Sequence, residues 1–291
     1  MDALGVDVGG TNLRVARVNA GGEIAATRYA RTNGDAQAAL ASIIADVRAL
    51  DSASVAGIGI GIPGRVDPLA RKVLSGGFLD LSTVPLVEAV EREAGKPVVL
   101  DSDANLALLA EWRYGAARGA NNVVMLTIGT GIGGAALLGG RLLRGRMSGG
   151  QFGHVTVDVQ GRLCACGRYG CVETTSSGTA LGHFIAEAGL PAETRIEALI
   201  AQAEAGDVRA AAIIDLWAKP LRAAIDTIVA SLDPEVVVLG GGLGAAALAA
   251  LRAAPALSPW YQAPVVAAEL GDTAGVIGGA WAAMNPEAVR P

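Results

Sequence analysis

Aromatic residues and histidine are scarce in this chain, and no long apolar segment runs through it. Of its 291 residues, 4% are aromatic and two are histidine, although 52% are hydrophobic. The apolar stretches are shorter than the roughly 20 residues that a membrane-spanning helix needs. The N-terminus lacks the basic and apolar regions of a secretory signal peptide. The sequence therefore predicts a cytoplasmic protein that does not enter a membrane.

Positive charge is also in deficit, because 23 Lys and Arg residues stand against 28 Asp and Glu residues, a net charge of -5. Such a balance offers no general attraction to nucleic acid. The aliphatic content excludes an intrinsically disordered chain, and the length suffices for two domains of ordinary size. We expect a globular protein whose partners are small molecules, not nucleic acids or membranes.

Strand-like runs alternate with helical segments along the chain. Leu4–Val8 and Leu13–Val18 flank one glycine turn, and Val123–Ile128 and Ala135–Leu138 flank another. The repeated order of apolar strand, glycine turn with threonine, and second strand predicts two related α/β domains.

Both glycine turns have the composition of phosphate-binding loops. The first reads Asp7-Val8-Gly9-Gly10-Thr11, and the second reads Gly129-Thr130-Gly131-Ile132-Gly133-Gly134. Glycine lets backbone N–H groups approach a phosphate closely and threonine adds a hydroxyl, while Asp7 could hold Mg²⁺ through water. The alternative is a pair of ordinary hairpin turns. Neither turn is a P-loop, because the G-x-x-x-x-G-K-[ST] pattern does not occur.

The three cysteines are clustered, and a histidine precedes them. Cys164, Cys166 and Cys171 follow His154 in one segment, and an odd, clustered set is a poor disulfide framework. One imidazole and three thiolates complete the closed tetrahedral set typical of structural zinc. Reduced, inert cysteines are the alternative interpretation. We predict a structural zinc ion that leaves no open position for a catalytic water.

Two carboxylates follow the short strand-like run Val98–Leu100. Asp101 and Asp103 precede a helical segment, and either could cap that helix. Phosphoryl transfer to an alcohol also needs a positioned carboxylate that accepts the hydroxyl proton. A catalytic base is therefore the second interpretation of this pair.

These motifs resemble those of the ROK family of bacterial sugar kinases and repressors, within the actin/hexokinase-like superfamily. Val6–Thr11 and Thr127–Gly134 resemble its two phosphate motifs, and Val238–Gly242 resembles its adenosine-side turn. Gly153-His154, followed by Cys164 to Glu173, resembles its structural-zinc signature. The resemblance covers nearly the whole chain, in order.

The resemblance implies an α/β chain with the duplicated actin-like (ribonuclease H-like) ATPase fold, two domains around a central cleft. We place the first domain at residues 1–118, with a C-terminal helix at about 275–291 packing back on it. The second domain covers residues 119–274 and carries the zinc-binding segment 154–171.

The resemblance further implies an ATP- and Mg²⁺-dependent, glucokinase-like kinase that phosphorylates a primary hydroxyl of a hexose, the 6-OH. Glucose comes first, with N-acetylmannosamine, N-acetylglucosamine, fructose or a cyclitol as alternatives, and polyphosphate is an alternative donor. Asp103 matches the catalytic base, with Asp101 as its competitor. The resemblance assigns the nucleotide and metal to Asp7, Gly9, Gly10, Thr11, Asn12, Thr130, Gly131, Gly133, Gly241 and Gly242. It assigns the sugar to Gly64, Ser102, Asn105, Gln151, His154 and Glu173, and it implies a homodimer.

Two residues depart from the family pattern. Ser102 stands where the family has Asn, and Gln151 stands where it has Glu. Both positions contact sugar hydroxyls in the family, so these changes bear on which sugar is bound. Asp7, Asp103 and both glycine loops are intact, which favours retained activity.

The alternative of a different class is a non-catalytic, sugar-sensing regulator. ROK repressors bind DNA through an N-terminal helix-turn-helix, for which a phosphate motif starting at Asp7 leaves no room. Two further features are interpreted as structural: Arg141–Arg146 as a solvated surface loop, and His183 as a solvated or packed helix residue.

Overall fold

The computed structural model describes residues 1–9, 12–76, 79–147 and 149–289. The strands are β1 (Asp2–Val8), β2 (Asn12–Asn19), β3 (Ile24–Arg31), β4 (Val55–Ile62), β5 (Arg65–Asp67), β6 (Lys72–Ser75), β7 (Val98–Ser102), β8 (Val123–Ile128), β9 (Ile132–Leu138), β10 (Arg141–Leu142), β11 (Val236–Gly240) and β12 (Val265–Ala267). The α-helices are α1 (Ala36–Leu50), α2 (Leu86–Ala94), α3 (Asp103–Tyr114), α4 (Glu173–Ser176), α5 (Gly178–Glu187), α6 (Ile196–Glu204), α7 (Val208–Leu232), α8 (Gly244–Ala250) and α9 (Ala274–Met284).

The chain divides into two compact units. Unit 1 comprises residues 1–119, 140–150 and the segment from Asp272 onward, and unit 2 comprises residues 120–139 and 151–271. Each unit contains a mixed sheet and helices, so the predicted α/β class is confirmed. Within the described ranges, every helix is too short or too polar to cross a lipid bilayer.

The sheet of unit 1 has the strand order β3-β2-β1-β4-β7. Strands β1, β2 and β3 are antiparallel neighbours, whereas β4 runs parallel to β1 and β7 runs parallel to β4. The carboxyl ends of β1, β4 and β7 therefore meet at one edge, where α/β sheets usually carry their ligand sites. Asp7, Gly61 and Asp101 lie at this edge.

The helix α9 packs against this sheet and against α3 with unusually little space between the backbones. A β-carbon at Gly59 would collide with the carbonyl oxygen of Gly279, and one at Gly278 would collide with that of Leu106. Only glycine allows such a close approach. The C-terminal segment thus packs on unit 1, but its α-helix ends at Met284 and a short 3-10 helix, Pro286–Val289, follows.

Unit 2 has a sheet with the strand order β9-β8-β11-β12, in which β8 and β11 are parallel. The long helix α7 presents the fully buried Trp217, whose indole N–H donates to the carbonyl oxygen of Ser177 at 3.0 Å. Strand β9 begins at Ile132 and not at Ala135 as the sequence predicted, because Ile132 already pairs with Ile128. The second glycine turn is correspondingly tighter.

Residues 140–150 pack with unit 1, although the sequence placed them in the second domain. The cause is Arg144, which is buried and forms an ion pair with Asp101 of unit 1. The expectation of a solvated loop over Arg141–Arg146 was therefore wrong for Arg144, while Arg141 and Arg146 are exposed. The hairpin of β5 and β6 was also not predicted.

Candidate active site

Asp7 lies at the end of β1, where the first glycine turn begins. Desolvation and the nearby charge of Asp103 raise the pKa of Asp7 to about 7, while Arg14, its partner in the β1–β2 register, opposes this shift. The backbone N–H of Gly9 donates to the carbonyl oxygen of Asn12 at 2.7 Å. Gly10 and Thr11, both predicted phosphate ligands, lie outside the described residues. A carboxylate in this setting gains from a bound cation.

Gly275, in the first turn of α9, is a site residue that sequence reasoning missed. A β-carbon at this position would come 2.6 Å from the carboxyl carbon of Asp7. Glycine here leaves the space that the Asp7 carboxylate occupies. The signal in the sequence was the glycine-rich helix itself, since Gly275, Gly278 and Gly279 interrupt an otherwise ordinary apolar helix.

Asp103 is the first residue of α3 and follows directly on β7. The hydroxyl of Ser102 caps this helix by accepting from the backbone N–H of Asn105 at 3.2 Å. Asp103 is therefore not the cap, and its carboxylate accepts from the backbone N–H of Ala104 at 2.7 Å. Desolvation raises the pKa of Asp103 above its ordinary value. A carboxylate with a raised pKa is better matched to accept a proton near neutral pH.

Asp101, the competing candidate for the base, is fully engaged. Its Oδ1 atom accepts from the backbone N–H of Ser102 and from Nδ2 of Asn105, each at 2.8 Å. Arg144 donates from Nη1 to Oδ1 at 3.1 Å and from Nη2 to Oδ2 at 2.6 Å. A carboxylate whose oxygens already accept four hydrogen bonds from protein groups has little room for a sugar hydroxyl. The geometry favours Asp103 over Asp101.

The side chain of Asn105, assigned to the sugar from the resemblance, is buried beside Asp101. Its amide nitrogen faces Asp101, and its buried Oδ1 atom has no hydrogen-bond partner among the described residues. Gly64, also assigned to the sugar, has φ +96° in the turn between β4 and β5. A β-carbon there would collide with the carbonyl oxygen of Ser75, so this turn requires glycine.

The second glycine turn, in unit 2, is held from several sides. The backbone N–H of Ile132 donates to Oε2 of Glu173 at 2.8 Å, and the backbone N–H of Gly178 donates to the carbonyl oxygen of Gly129 at 2.7 Å. The hydroxyl of Thr179 donates to the carbonyl oxygen of Thr130 at 2.8 Å. Glu173, predicted to bind sugar, thus also fixes the predicted phosphate loop.

The turn after β11 lies beside that loop within unit 2. Gly241 has φ +76°, and a β-carbon on it would come 2.5 Å from the carbonyl oxygen of Ile128. The backbone N–H of Leu243 donates to the same oxygen at 2.9 Å. Gly133 pairs with Thr127 in the β8–β9 ladder, and Gly242 is exposed in the turn. The turn that carries Gly241 therefore packs against Ile128, the residue just before the second glycine turn.

The predicted metal ligands His154, Cys164, Cys166 and Cys171 come together. Their ligand atoms all lie within 4.8 Å of one another, with Nδ1 of His154 at 3.6 Å from Sγ of Cys164 and Sγ of Cys166 at 3.6 Å from Sγ of Cys171. Zinc–sulfur bonds of about 2.3 Å in a tetrahedron give ligand separations of about 3.8 Å. The donor set and its spacing fit a structural zinc ion.

Gln151 lies just before the short 3-10 helix Phe152–His154, and its carbonyl oxygen accepts from the backbone N–H of His154 at 3.1 Å. Because Nδ1 of His154 faces the cysteines, Nε2 is its remaining polar atom. A cavity of about 360 Å³ in unit 2 joins the loop to the zinc segment. Its lining includes Thr130, Gly131, Glu173, Thr179, Cys164 and His183.

The model of the ROK family matches residues 3–285 of this chain. The chain belongs to the ROK family. It is 35% identical to the glucokinase of Thermotoga maritima over 95% of each protein, and 33% identical to the N-acetylmannosamine kinase of Yersinia pestis over 96% of this chain and 97% of that protein. A crystal structure of a ROK family glucokinase from Streptomyces griseus, in complex with glucose and AMPPNP, superposes with a TM-score of 0.82. Its sequence identity is 31%, and the match covers 96% of this chain and 98% of that one.

These similarities confirm the predicted family and its actin-like fold class. The described site residues of this ROK protein form two groups. Unit 1 carries Asp7, Gly9, Asn12, Gly64, Ser102, Asp103 and Asn105. Unit 2 carries Thr130, Gly131, Gly133, Gln151, His154, Glu173, Gly241, Gly242 and the three cysteines.

Proposed function

We propose that this protein is an ATP-dependent sugar kinase that transfers the γ-phosphoryl group to the 6-OH of a hexose, with glucose as the first candidate. The observation that carries the proposal is the pair formed by Asp103 and Asp7. Two partly buried carboxylates with raised pKa values stand at the carboxyl edge of the first sheet, each beside a backbone turn or helix start. One is suited to accept a proton and the other to hold a cation.

Asp103 acts as the general base. Its carboxylate accepts the proton of the sugar hydroxyl while the hydroxyl oxygen forms a bond to the γ-phosphorus. The bond between the γ-phosphorus and the bridging oxygen then breaks, and ADP leaves with that oxygen. The proton remains on Asp103 until the sugar phosphate departs.

Asp7 would hold Mg²⁺ through water, and Asn12, Gly9, Gly10 and Thr11 would complete the first phosphate turn. When bound, Mg²⁺ neutralises charge on the phosphate oxygens. Thr130, Gly131 and Gly133 would supply donors to the phosphates from the second turn, and Gly241 and Gly242 would lie at the adenosine side.

The sugar would contact Gly64, Ser102, Asn105, Gln151, His154 and Glu173. Three of these residues also have a second role in the site. Glu173 also holds Ile132 of the second turn, and His154 also belongs to the Cys₃His set. A zinc ion bound there would fix the imidazole and leave Nε2 to face a sugar hydroxyl. Ser102 both caps α3 and precedes the base.

The relatives support both glucose and N-acetylmannosamine as candidate substrates, since proteins with each kinase name are similar to this chain at 33–35% identity. Ser102 and Gln151 depart from the family pattern at positions that would contact the sugar. The preferred sugar is therefore determined by the experiment below. The homodimer implied by the family is part of the same proposal and is tested by light scattering.

The test is ADP release, coupled to a spectroscopic readout, across glucose, mannose, fructose, N-acetylglucosamine and N-acetylmannosamine, with ATP or polyphosphate as the donor. We expect one sugar to give kcat/KM at least about tenfold above the others, because unpaired polar groups in the site penalise the wrong hydroxyl pattern. Binding of a sugar without any phosphorylated product from either donor would instead support the sugar-sensing regulator.

A further inference from the structure

The buried ion pair of Arg144 and Asp101 joins three segments of unit 1 at the helix corner that presents Asp103. Arg144 lies in the segment 140–150, and Asp101 is the second-last residue of β7. Nη2 of Arg144 also donates to the carbonyl oxygen of Val289 at 2.6 Å, so the C-terminal 3-10 helix is tied to the same point. The side chains of the pair are only 6% and 2% exposed.

Removing two charges from water costs energy that a buried ion pair seldom fully recovers, so stability alone is a weak reason for such a pair. Its hydrogen bonds indicate another role. Asp101 accepts from the backbone N–H of Ser102, the residue before Asp103, and from the side chain of Asn105, the residue two places after it. One carboxylate therefore holds the backbone just before the proposed base and a side chain two residues after it.

We propose that Arg144 is a positioning residue that fixes the Asp103 carboxylate, acting through Asp101. This inference rests on the proposed function. An ionised carboxylate offers only acceptors, so Arg144 sets the orientation of Asp101, and Asp101 then sets the Ser102 backbone and the Asn105 amide. Ser102 and Asn105 in turn define the first turn of α3, on which Asp103 stands. Displacing a reacting group by about 1 Å can cost as much as 100-fold in rate.

The test compares Arg144→Met with wild type in two backgrounds, Asp103 and Asp103→Asn. We expect Arg144→Met to lower kcat about tenfold or more with the KM for ATP little changed. In the Asp103→Asn background we expect it to change the residual kcat by less than about twofold, because the two residues act as a unit. An equal loss in both backgrounds, or no loss of kcat, would overturn the proposal.

Arg144→Met leaves a buried carboxylate without its partner, which can prevent folding. The double variant Asp101→Asn/Arg144→Met removes both charges and should fold, yet an amide at residue 101 no longer imposes one orientation on Asn105. We expect it to show the same kcat loss, and Arg144→Lys to recover part of it. Wild-type kcat in the double variant would count against the proposal.

The matched control is Arg28→Met, which breaks another ion pair of unit 1 with a buried aspartate, Asp46. Arg28 lies on β3, at the opposite edge of the sheet from β7. This variant should lose stability while keeping kcat. A kcat loss in Arg28→Met as large as that in Arg144→Met would show a merely structural effect.

A readout without turnover separates this inference from the proposed function. Carbon-13 NMR of the free protein reports the titration of Asp103, whose pKa desolvation raises. Loss of the contacts that hold Ser102 and Asn105 should move the pKa of Asp103 toward its ordinary value. An unchanged titration in the folded double variant would contradict the inference. Wild type that forms no sugar phosphate would reject the proposed function alone.

Discussion

Gly275 lies against Asp7 so closely that a β-carbon on residue 275 would come 2.6 Å from the Asp7 carboxyl carbon. The carboxylate therefore occupies space that a single methyl group would take. This relationship links the C-terminal helix to the proposed cation site, although the two residues are 268 positions apart in the sequence.

Gly275→Ala should lower kcat/KM about tenfold or more, because the methyl group displaces the Asp7 carboxylate. Alanine favours a helix over glycine by about 1 kcal/mol, so poor helix propensity cannot explain a loss. The control is Gly182→Ala in α5, where nothing lies within 4 Å of the added β-carbon. Steady-state kinetics that show no change in Gly275→Ala would mean that Asp7 tolerates displacement.

Asp7→Asn should make the free protein more stable than wild type at pH 8, in the absence of Mg²⁺. The pKa of Asp7 is raised to about 7 from an ordinary value of 3.8. Between these values the folded state binds the proton more tightly, so wild-type stability falls as pH rises toward 7. The advantage of the variant should shrink below pH 7 and disappear near pH 4. Urea unfolding at a series of pH values measures it, and a pH-independent difference would contradict the assignment.

Thr179→Val should raise the KM for ATP about fivefold and leave the KM for sugar unchanged. The substitution removes the hydroxyl that donates to the carbonyl oxygen of Thr130 and thus loosens the second glycine turn. One such hydrogen bond contributes about 1 kcal/mol. Thr194→Val is the matched control, because its hydroxyl donates to the carbonyl oxygen of Pro191, outside the predicted loops. Equal KM values in the two variants would remove Thr179 from the site.

Chelation of zinc should lower the melting temperature and abolish sugar binding together, because His154 belongs to both predicted sites. The Cys171→Ser variant should purify with less than one zinc ion per chain. The His183→Ala variant should retain one zinc ion per chain. His183 is the other histidine of the sequence; its Nδ1 atom lies 3.1 Å from Nη1 of Arg162, and it is not one of the four clustered ligands. Elemental analysis that finds no zinc in folded wild type would refute the metal site.

Much of the architecture could be predicted from local sequence patterns. The hairpin of β1 and β2 follows from two apolar runs around Gly9, and the parallel edge strands follow from the alternation of strands and helices. The close packing of α9 could not be predicted in detail, because Gly59 and Gly279 approach each other only after the chain has folded. The Cys₃His set was predictable because one histidine and three cysteines within a short segment are typical ligands of a structural zinc ion.

The surroundings of Asp103 were less predictable. Arg144 lies in a segment rich in arginine, whose composition is typical of a charged surface loop. Arg144 is buried because it pairs with Asp101, which is distant in the sequence. Asn105 was assigned to the sugar by resemblance, yet its amide faces Asp101. Long-range pairing of charges leaves no periodic signal in a sequence.

The most direct test of the central claim is ADP formation by Asp103→Asn with Mg-ATP and the preferred sugar. The account predicts that kcat falls by a factor on the order of 100 to 10,000, as expected when a general base is lost, while sugar and nucleotide binding stay within a few-fold. Asp35→Asn, which alters the cap of α1, is the matched control and should keep full activity. Undiminished turnover by Asp103→Asn would contradict the account.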